Sequence, residues 1–292
     1  MSMNRSMPSP ATSNAPRWVK AGLAVLSVLL LIGVWDWAAR SYPVSILPSP
    51  AETIEALGWL LGRDSFYHHL EMTLTRSGTG FTAAMFIGVV GGLLIGRFQW
   101  LYWFSNPLIA IATTIPPIFW VAIMIIWLGL GSGPPILVII ITATPLVMVN
   151  IIQGMQNIPP GLVEMATIFR VGFWNRLLRL YLPAMSGYLF AAALIATRFA
   201  WRTVIMAEFI GSSNGLGNRL AWSRQNLETD LAFAYMLVIL TFSLVIEYGI
   251  LRPAQSRFSW MTGHRRGQRL QRQLNTQNSP MPQAQRRRSH AA

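Results

Sequence analysis

Cysteine is missing from this 292-residue sequence, and lysine occurs once, at Lys20. Without cysteine there is no disulfide, zinc–thiolate site, iron–sulfur cluster or cysteine nucleophile. With Lys20 as its only lysine, the chain has no Gly-rich phosphate loop with its phosphate-binding lysine. If ATP drives this protein, another subunit hydrolyses it. Charge is sparse as well: 11% of the residues are charged, against about 25% in soluble domains. The tandem pair His68-His69 lacks the i,i+4 spacing of a helical metal site and reads as part of a solvated polar loop, while His264 and His290 lie in the C-terminal tail. No Ser/His/Asp arrangement stands out, so neither a metal site nor a catalytic residue is expected.

What the chain has in quantity is apolar sequence. Hydrophobic residues make up 53% of it, in runs near the ~20 residues that cross a bilayer as a helix. An all-α polytopic membrane protein with about six spans follows. The net charge of +13 does not indicate nucleic-acid binding, because much of it sits in the C-terminal tail rather than on a folded basic face. Residues 1–16 read as a disordered cytoplasmic N-terminus. Arg17 and Lys20 precede the apolar run Ala21–Trp35, read as an uncleaved first span over 17–40. An extracytoplasmic segment follows over 41–77, with a stiff LPSP turn at 47–50 and an amphipathic helix at Ala51–Gly62.

The core domain is expected over 78–252. Its spans are Gly78–Gly96, Pro107–Leu130, Ile136–Ile152, Ser186–Ile210 and Leu231–Leu251. Gly88, Gly92 and Gly96 recur every four residues and suit close helix packing. Ile115-Pro116-Pro117 interrupts one span and Pro145 lies in the next, so two adjacent broken helices suggest a pathway near mid-membrane. Residues 253–292 form a basic tail, disordered beyond about Gly263.

Between two spans lies a charged, helix-forming stretch, Pro159–Pro183, inside a loop over 154–183. Asn157 is a candidate cap, Pro159 and Pro160 suit a first helical turn, Gly172 breaks the run, and Pro183 ends it. With the N-terminus in the cytoplasm, 16 Lys and Arg fall on the cytoplasmic side and five on the other. The positive-inside rule then makes this loop and both termini cytoplasmic.

Charges inside the spans are costly and face protein or water. Arg198 and Arg202 share one helix face, Glu208 lies further along the same span, and Glu247 lies in the last one. Two readings stay open: the arginines line a route that favours an anion, or they pair with Glu208, Glu247 or backbone carbonyls.

The loop resembles the cytoplasmic signature of the membrane subunits of bacterial binding-protein-dependent ABC importers. That signature is Glu-Ala-Ala, three residues, Gly, nine residues, Ile, one residue, Leu-Pro. Glu164-Met165-Ala166 begins the match and Leu182-Pro183 ends it, with Leu180 for the Ile, Met165 for the first Ala and Arg170 where the Gly belongs. Gly172 comes two residues late. Further motifs resemble the nitrate/sulfonate/taurine-type branch: LPSP at 47–50, Thr73-Leu74 with Arg76, Ile115-Pro116-Pro117, Trp127–Gly131, Ala200-Trp201-Arg202, Ala207-Glu208, Gly215-Leu216-Gly217 and Thr229-Asp230.

The resemblance implies a type I ABC importer (MetI-like) transmembrane domain in a bacterial inner membrane. It also implies a homodimer of this subunit, cytoplasmic ABC ATPase subunits that hold the ATP and Mg, and an extracytoplasmic solute-binding protein. No cofactor is expected in this chain, and lipid is its solvent. On this reading Glu164, Met165, Ala166, Phe169, Arg170, Gly172, Leu182 and Pro183 form the ATPase-coupling site. Candidates for the translocation path of a small anion are Arg198, Arg202, Glu208, Pro116 and Pro145. The alternatives are a secondary transporter or channel without an ATPase, which would predict an internal repeat and an ion relay, and a membrane-embedded enzyme, which would need clustered His, Asp or Glu.

Overall fold

Helices form wherever apolar runs leave no other way to satisfy backbone N–H and C=O groups in lipid. A computed structural model describes residues 17–255. The expected disorder at 1–16 and in the basic tail beyond residue 255 lies outside these residues. In order, the helices are α1 (Arg17–Ala39), α2 (Pro50–Leu61), α3 (Asp64–Arg97), α4 (Gln99–Thr114), α5 (Pro117–Leu128), α6 (Gly133–Gln156), α7 (Pro160–Ile168), α8 (Phe173–Arg176), α9 (Leu182–Ala184), α10 (Ser186–Gly211), α11 (Leu216–Gln225) and α12 (Thr229–Leu244). π-Helical turns cover Leu177–Tyr181 and Val245–Leu251.

Among the described residues four helices are long and apolar enough to cross a membrane: α3, α6, α10 and the continuous Thr229–Gln255. The pair α4/α5 makes a fifth if it counts as one span, and the apolar stretch Val25–Ala39 within α1 is shorter. The expected six spans thus become four or five plus that shorter stretch. The interruption at Ile115-Pro116-Pro117 is a 92° bend between α4 and α5. Ile115 is extended (φ −71°, ψ 121°), as a residue before proline prefers, and Pro116 precedes α5.

Two further expectations change. Residues 64–77 are not a polar loop: α3 runs unbroken for 34 residues, and His68 and His69 lie on it. α6 passes through Pro145 without a break. A proline removes one N–H from the ladder, and here it is buried in a well-packed helix. Only one of the two proline-bearing spans is therefore broken.

The chain divides into two compact units. In the first, made of the chain up to Phe66 together with Leu220–Met236, the LPSP turn is a helix start. Ser49 caps α2, with the Glu52 N–H donating to Ser49 Oγ (3.3 Å) and the Ser49 N–H to Glu52 Oε2 (2.7 Å). This is a capping box with Pro50 at the first helical position. Trp35 Nε1 donates to the Pro48 carbonyl at 3.0 Å, and the Trp35 ring packs on Phe233.

The second unit comprises Tyr67–Arg219 and the chain from Leu237. Its core is the seam of α6 and α10. Val147 and Ile151 meet Met185, Ala192 and Ala196, and further along Ile139 and Ala143 meet Ala84, Ala200 and Val204. The glycines of α3 let it join this seam. A Cβ at Gly88 would stand 2.6 Å from Val147 Cβ, one at Gly92 2.7 Å from Ile151 Cβ, and one at Gly96 2.8 Å from Met155 Cβ. The stripe therefore packs α3 on α6 of the same chain. We expect Gly88→Ala with Gly92→Ala to cost about 1–3 kcal/mol through overpacking. Gly78→Ala, where nothing lies within 4 Å, should be neutral or stabilising by up to about 1 kcal/mol. Thermal unfolding of the three proteins in one detergent checks both.

Candidate coupling loop and intramembrane charge pairs

The loop after α6 is built from two short helices and a tight turn. Asn157 does not cap α7: it ends α6, its side chain donating to the Gln153 carbonyl at 2.8 Å. Pro159 and Pro160 start α7 instead. α7 closes in a Schellman motif, with the Val171 N–H bonded to the Ala166 carbonyl and the Arg170 N–H to the Thr167 carbonyl, both at 3.0 Å. This motif requires a left-handed residue, and Arg170 supplies it at φ +48°. The break is therefore at Arg170 and not at Gly172, which has φ −62° and merely precedes α8. Pro183 does not end the run either, since it sits in α9 and α10 follows directly.

A non-glycine residue in the left-handed region costs roughly 1–2 kcal/mol. Arg170→Gly should recover about 1 kcal/mol, less the greater freedom of the unfolded chain. A rise in unfolding temperature is the expected outcome.

Arg176 folds back across this turn, Nη2 donating to the Ala166 carbonyl at 3.1 Å. Ala166 is buried beneath it, 3% exposed. The apolar side chains around the turn point outward instead. Ile168, Phe169, Phe173 and Trp174 are 69–78% exposed, with Phe173 and Trp174 edge to face at 5.4 Å. Glu164, Met165 and Arg170 are exposed beside them. Leu182 and Pro183 lie on α9, beyond the π turn.

The buried charges pair off. Arg76 on α3 and Glu208 on α10 form an ion pair at 2.8 Å with side chains 2% and 0% exposed. Both groups are fully satisfied. Arg76 also donates to the Asn214 carbonyl (2.7 Å), the Asn214 side chain and Ser132 Oγ (2.8 Å). Glu208 Oε2 accepts from the Thr73 hydroxyl (2.8 Å) and the Gly217 N–H (3.2 Å). Thr73 in turn accepts from the Leu216 N–H at 2.9 Å. Gly215 carries φ +109°, and a Cβ there would strike the Glu208 carboxylate. His69 closes the cluster: the Gly215 N–H lies 3.1 Å from its Nδ1 and Arg219 Nε 2.7 Å from its Nε2. A neutral imidazole accepts at one nitrogen only, so these donors compete for it. A second pair lies nearer the other end of α10, where Arg198 Nε and Nη2 grip Glu247 at 2.7 and 2.8 Å. Among the described residues no group of three or more His, Cys, Asp or Glu could hold a metal ion.

Residues 84–255 match the family model for the binding-protein-dependent transport system inner membrane component, over more than half of the chain. The chain belongs to this family. The permease is 26% identical to the taurine transport system permease protein of Escherichia coli over 83% of this chain and 90% of that one. It is 28% identical to the riboflavin transport system permease protein of Chloroflexus aurantiacus (83% and 94%), and 27% identical to a nitrate import permease protein of Synechocystis (70% and 76%). Its fold resembles that in an inward-facing structure of a methionine ABC transporter, with TM-score 0.56 and 19% identity, covering 67% of this chain and 96% of that one. The permease is thus a multi-pass membrane protein with a MetI-like fold, and the transport subunit of an ABC importer.

Within the permease the sequence-derived path residues do not form one group. Glu208 is locked in the Arg76 cluster, Arg198 is held by Glu247, Pro145 is buried in α6, and Pro116 is exposed at the α4/α5 bend. Arg202 is exposed and has no hydrogen-bond or ion-pair partner within the described chain. Sequence reasoning missed His69 and the pairing of Arg76 with Glu208. The signal was there in three separate short motifs, around Thr73 and Arg76, at Glu208, and at Gly215-Leu216-Gly217, which meet in space.

Proposed function

We propose that this permease forms the translocation path of an ABC importer for a small anionic solute, and that the loop between α6 and α10 couples it to separate ATPase subunits. The observation that carries the coupling is the rigid turn at Arg170, which presents Phe169, Phe173 and Trp174 outward while Ala166 and Arg176 hold it from beneath. Exposed aromatics on a fixed backbone are what dominate protein interfaces. The remaining assembly is a homodimer of this chain, two cytoplasmic ATPases holding ATP and Mg, and an extracytoplasmic binding protein that delivers the solute. Both termini and the loop face the cytoplasm, following the Lys and Arg distribution. Nucleotide then acts by binding one conformation of the assembly more tightly than the other.

An anion is supported by the arginines of α10 and by the taurine and nitrate relatives, while the riboflavin relative sets a different precedent. Pull-down of the permease from its native membrane should recover a stoichiometric ATPase and, after crosslinking, a binding protein. Calorimetry on that binding protein reads the solute class directly. A neutral or cationic ligand would remove the anionic assignment and leave the coupling intact.

A further inference from the structure

The charges on and around α10 do not balance. Two carboxylates lie there, Glu208 and Glu247, and each is taken by an arginine, Arg76 and Arg198. Glu247 cancels Arg198, so Arg202 is left as one uncompensated positive charge on the face of α10 that the two arginines share. The distance from the helix ends excludes simple escape to the surface. At 1.5 Å per residue, Arg202 stands roughly 24 Å from the start of α10 and 14 Å from its end. An arginine side chain reaches only about 7 Å when it snorkels. A guanidinium at that depth faces protein or water, not hydrocarbon.

Resting on the permease reading above, we propose that Arg202, and not Arg198, is the fixed cation of the aqueous translocation route, and that it selects solutes bearing an oxyanion such as a sulfonate, nitrate or carboxylate. The planar guanidinium fork matches two oxygens of such a group at once, which an ammonium does not. Arg198 serves as a strut, its Nε and Nη2 already engaged by both Glu247 oxygens. Trp201 beside it is anchored in the same way, Nε1 donating to Ser243 Oγ at 2.8 Å and its ring stacking on Phe242. The α10–α12 contact therefore holds the helix in place, while Arg202 stays free of it.

The absence of cysteine makes the test direct, because any introduced thiol is the only one in this chain. In the assembled complex in membranes, R202C should react with both the sulfonatoethyl and the trimethylammonium-ethyl methanethiosulfonates, which are water-borne reagents. Ile195 is 38% exposed and lies two turns away on the same face. The I195C thiol should favour the anionic reagent over the cationic one. Adding Arg202→Gln should lower that preference about three- to tenfold, whereas adding Glu247→Gln should not lower it.

Three results would overturn the proposal. One is a position 202 thiol inert to both reagents but labelled by a lipid-soluble maleimide. Another is one that crosslinks to a second copy of the chain instead of reacting. The third is a preference at position 195 that Arg202→Gln leaves unchanged. None of these readings depends on ATPase recovery, so loss of the ATPase from the same preparation would count against the coupling assignment alone.

Discussion

Glu208→Gln should destabilise the permease by about 3–5 kcal/mol, the usual effect of removing one partner of a buried ion pair. The substitution keeps the size of the side chain and removes its charge. It leaves the Arg76 guanidinium, 2% exposed, without a counter-ion. The amide NH2 would also face a donor in either orientation, the Arg76 guanidinium at the Oε1 position or the Gly217 N–H and Thr73 hydroxyl at the Oε2 position. A fall in apparent unfolding temperature on the order of 10 °C is expected, measured in detergent at one heating rate because such unfolding is often irreversible. Arg76→Met with Glu208→Met should recover only a small part of the loss: it removes the unpaired charge but leaves the Gly217 N–H and the Asn214 carbonyl without their partners. If Glu208→Gln unfolds within a degree or two of the parent, the Arg76–Glu208 pair does not hold α3 to α10.

Trp174→Ala and Phe169→Ala should each weaken recovery of the ATPase by at least about 2 kcal/mol, or ~30-fold, with the folded permease unchanged. Both side chains are about 70% exposed or more, so truncation removes little packing within the chain, and surface changes of this kind usually stay within about 0.5 kcal/mol of the parent's stability. Interface hot spots of this size are commonly tryptophan and other large anchors. A bulky residue at Ala166 is a poorer probe, although the resemblance to the importer loop signature includes that position. Ala166 is buried under Arg176 and its carbonyl terminates α7, so enlarging it would disrupt the turn itself. ATPase recovery at parental levels from the Trp174→Ala, Phe169→Ala double variant would refute docking through this face.

The parts of the fold that could be read from sequence are those set by local pattern. Apolar run length placed most of the spans, the four-residue glycine period marked where α3 lies on α6, and the double proline marked the bend between α4 and α5. The parts that could not be read depend on partners distant in sequence. The first half of α3 looks polar because His69, Thr73 and Arg76 are polar. They are buried all the same, since Glu208, Asn214 and the Gly215–Gly217 backbone satisfy them from more than 130 positions away. Hydropathy carries no trace of that. The break falls at Arg170, the glycine position of the loop signature, and not at Gly172 for a related reason: a left-handed turn is a property of the backbone hydrogen bonds that close it, and Gly172 is merely the more conventional residue for one. The path residues scattered because sequence alone cannot say which arginine each glutamate holds.

The π-helical turn at Val245–Leu251 lets the last span hold an extra residue without losing its rotational phase. An α-helix advances about 100° per residue, and a π turn commonly arises as one residue more than the α ladder accommodates. Deleting a single residue between Glu247 and Leu251 would let the helix close as continuous α with the chain beyond it kept in phase, whereas the same deletion within Thr229–Leu244, with the turn retained, would swing Glu247 by about that angle. Glu247 would then leave Arg198, and α10 would carry two free cations instead of one. The turn thus acts as slack in the register of the last span, and a one-residue deletion should be far better tolerated within it than in the α-helical stretch before it.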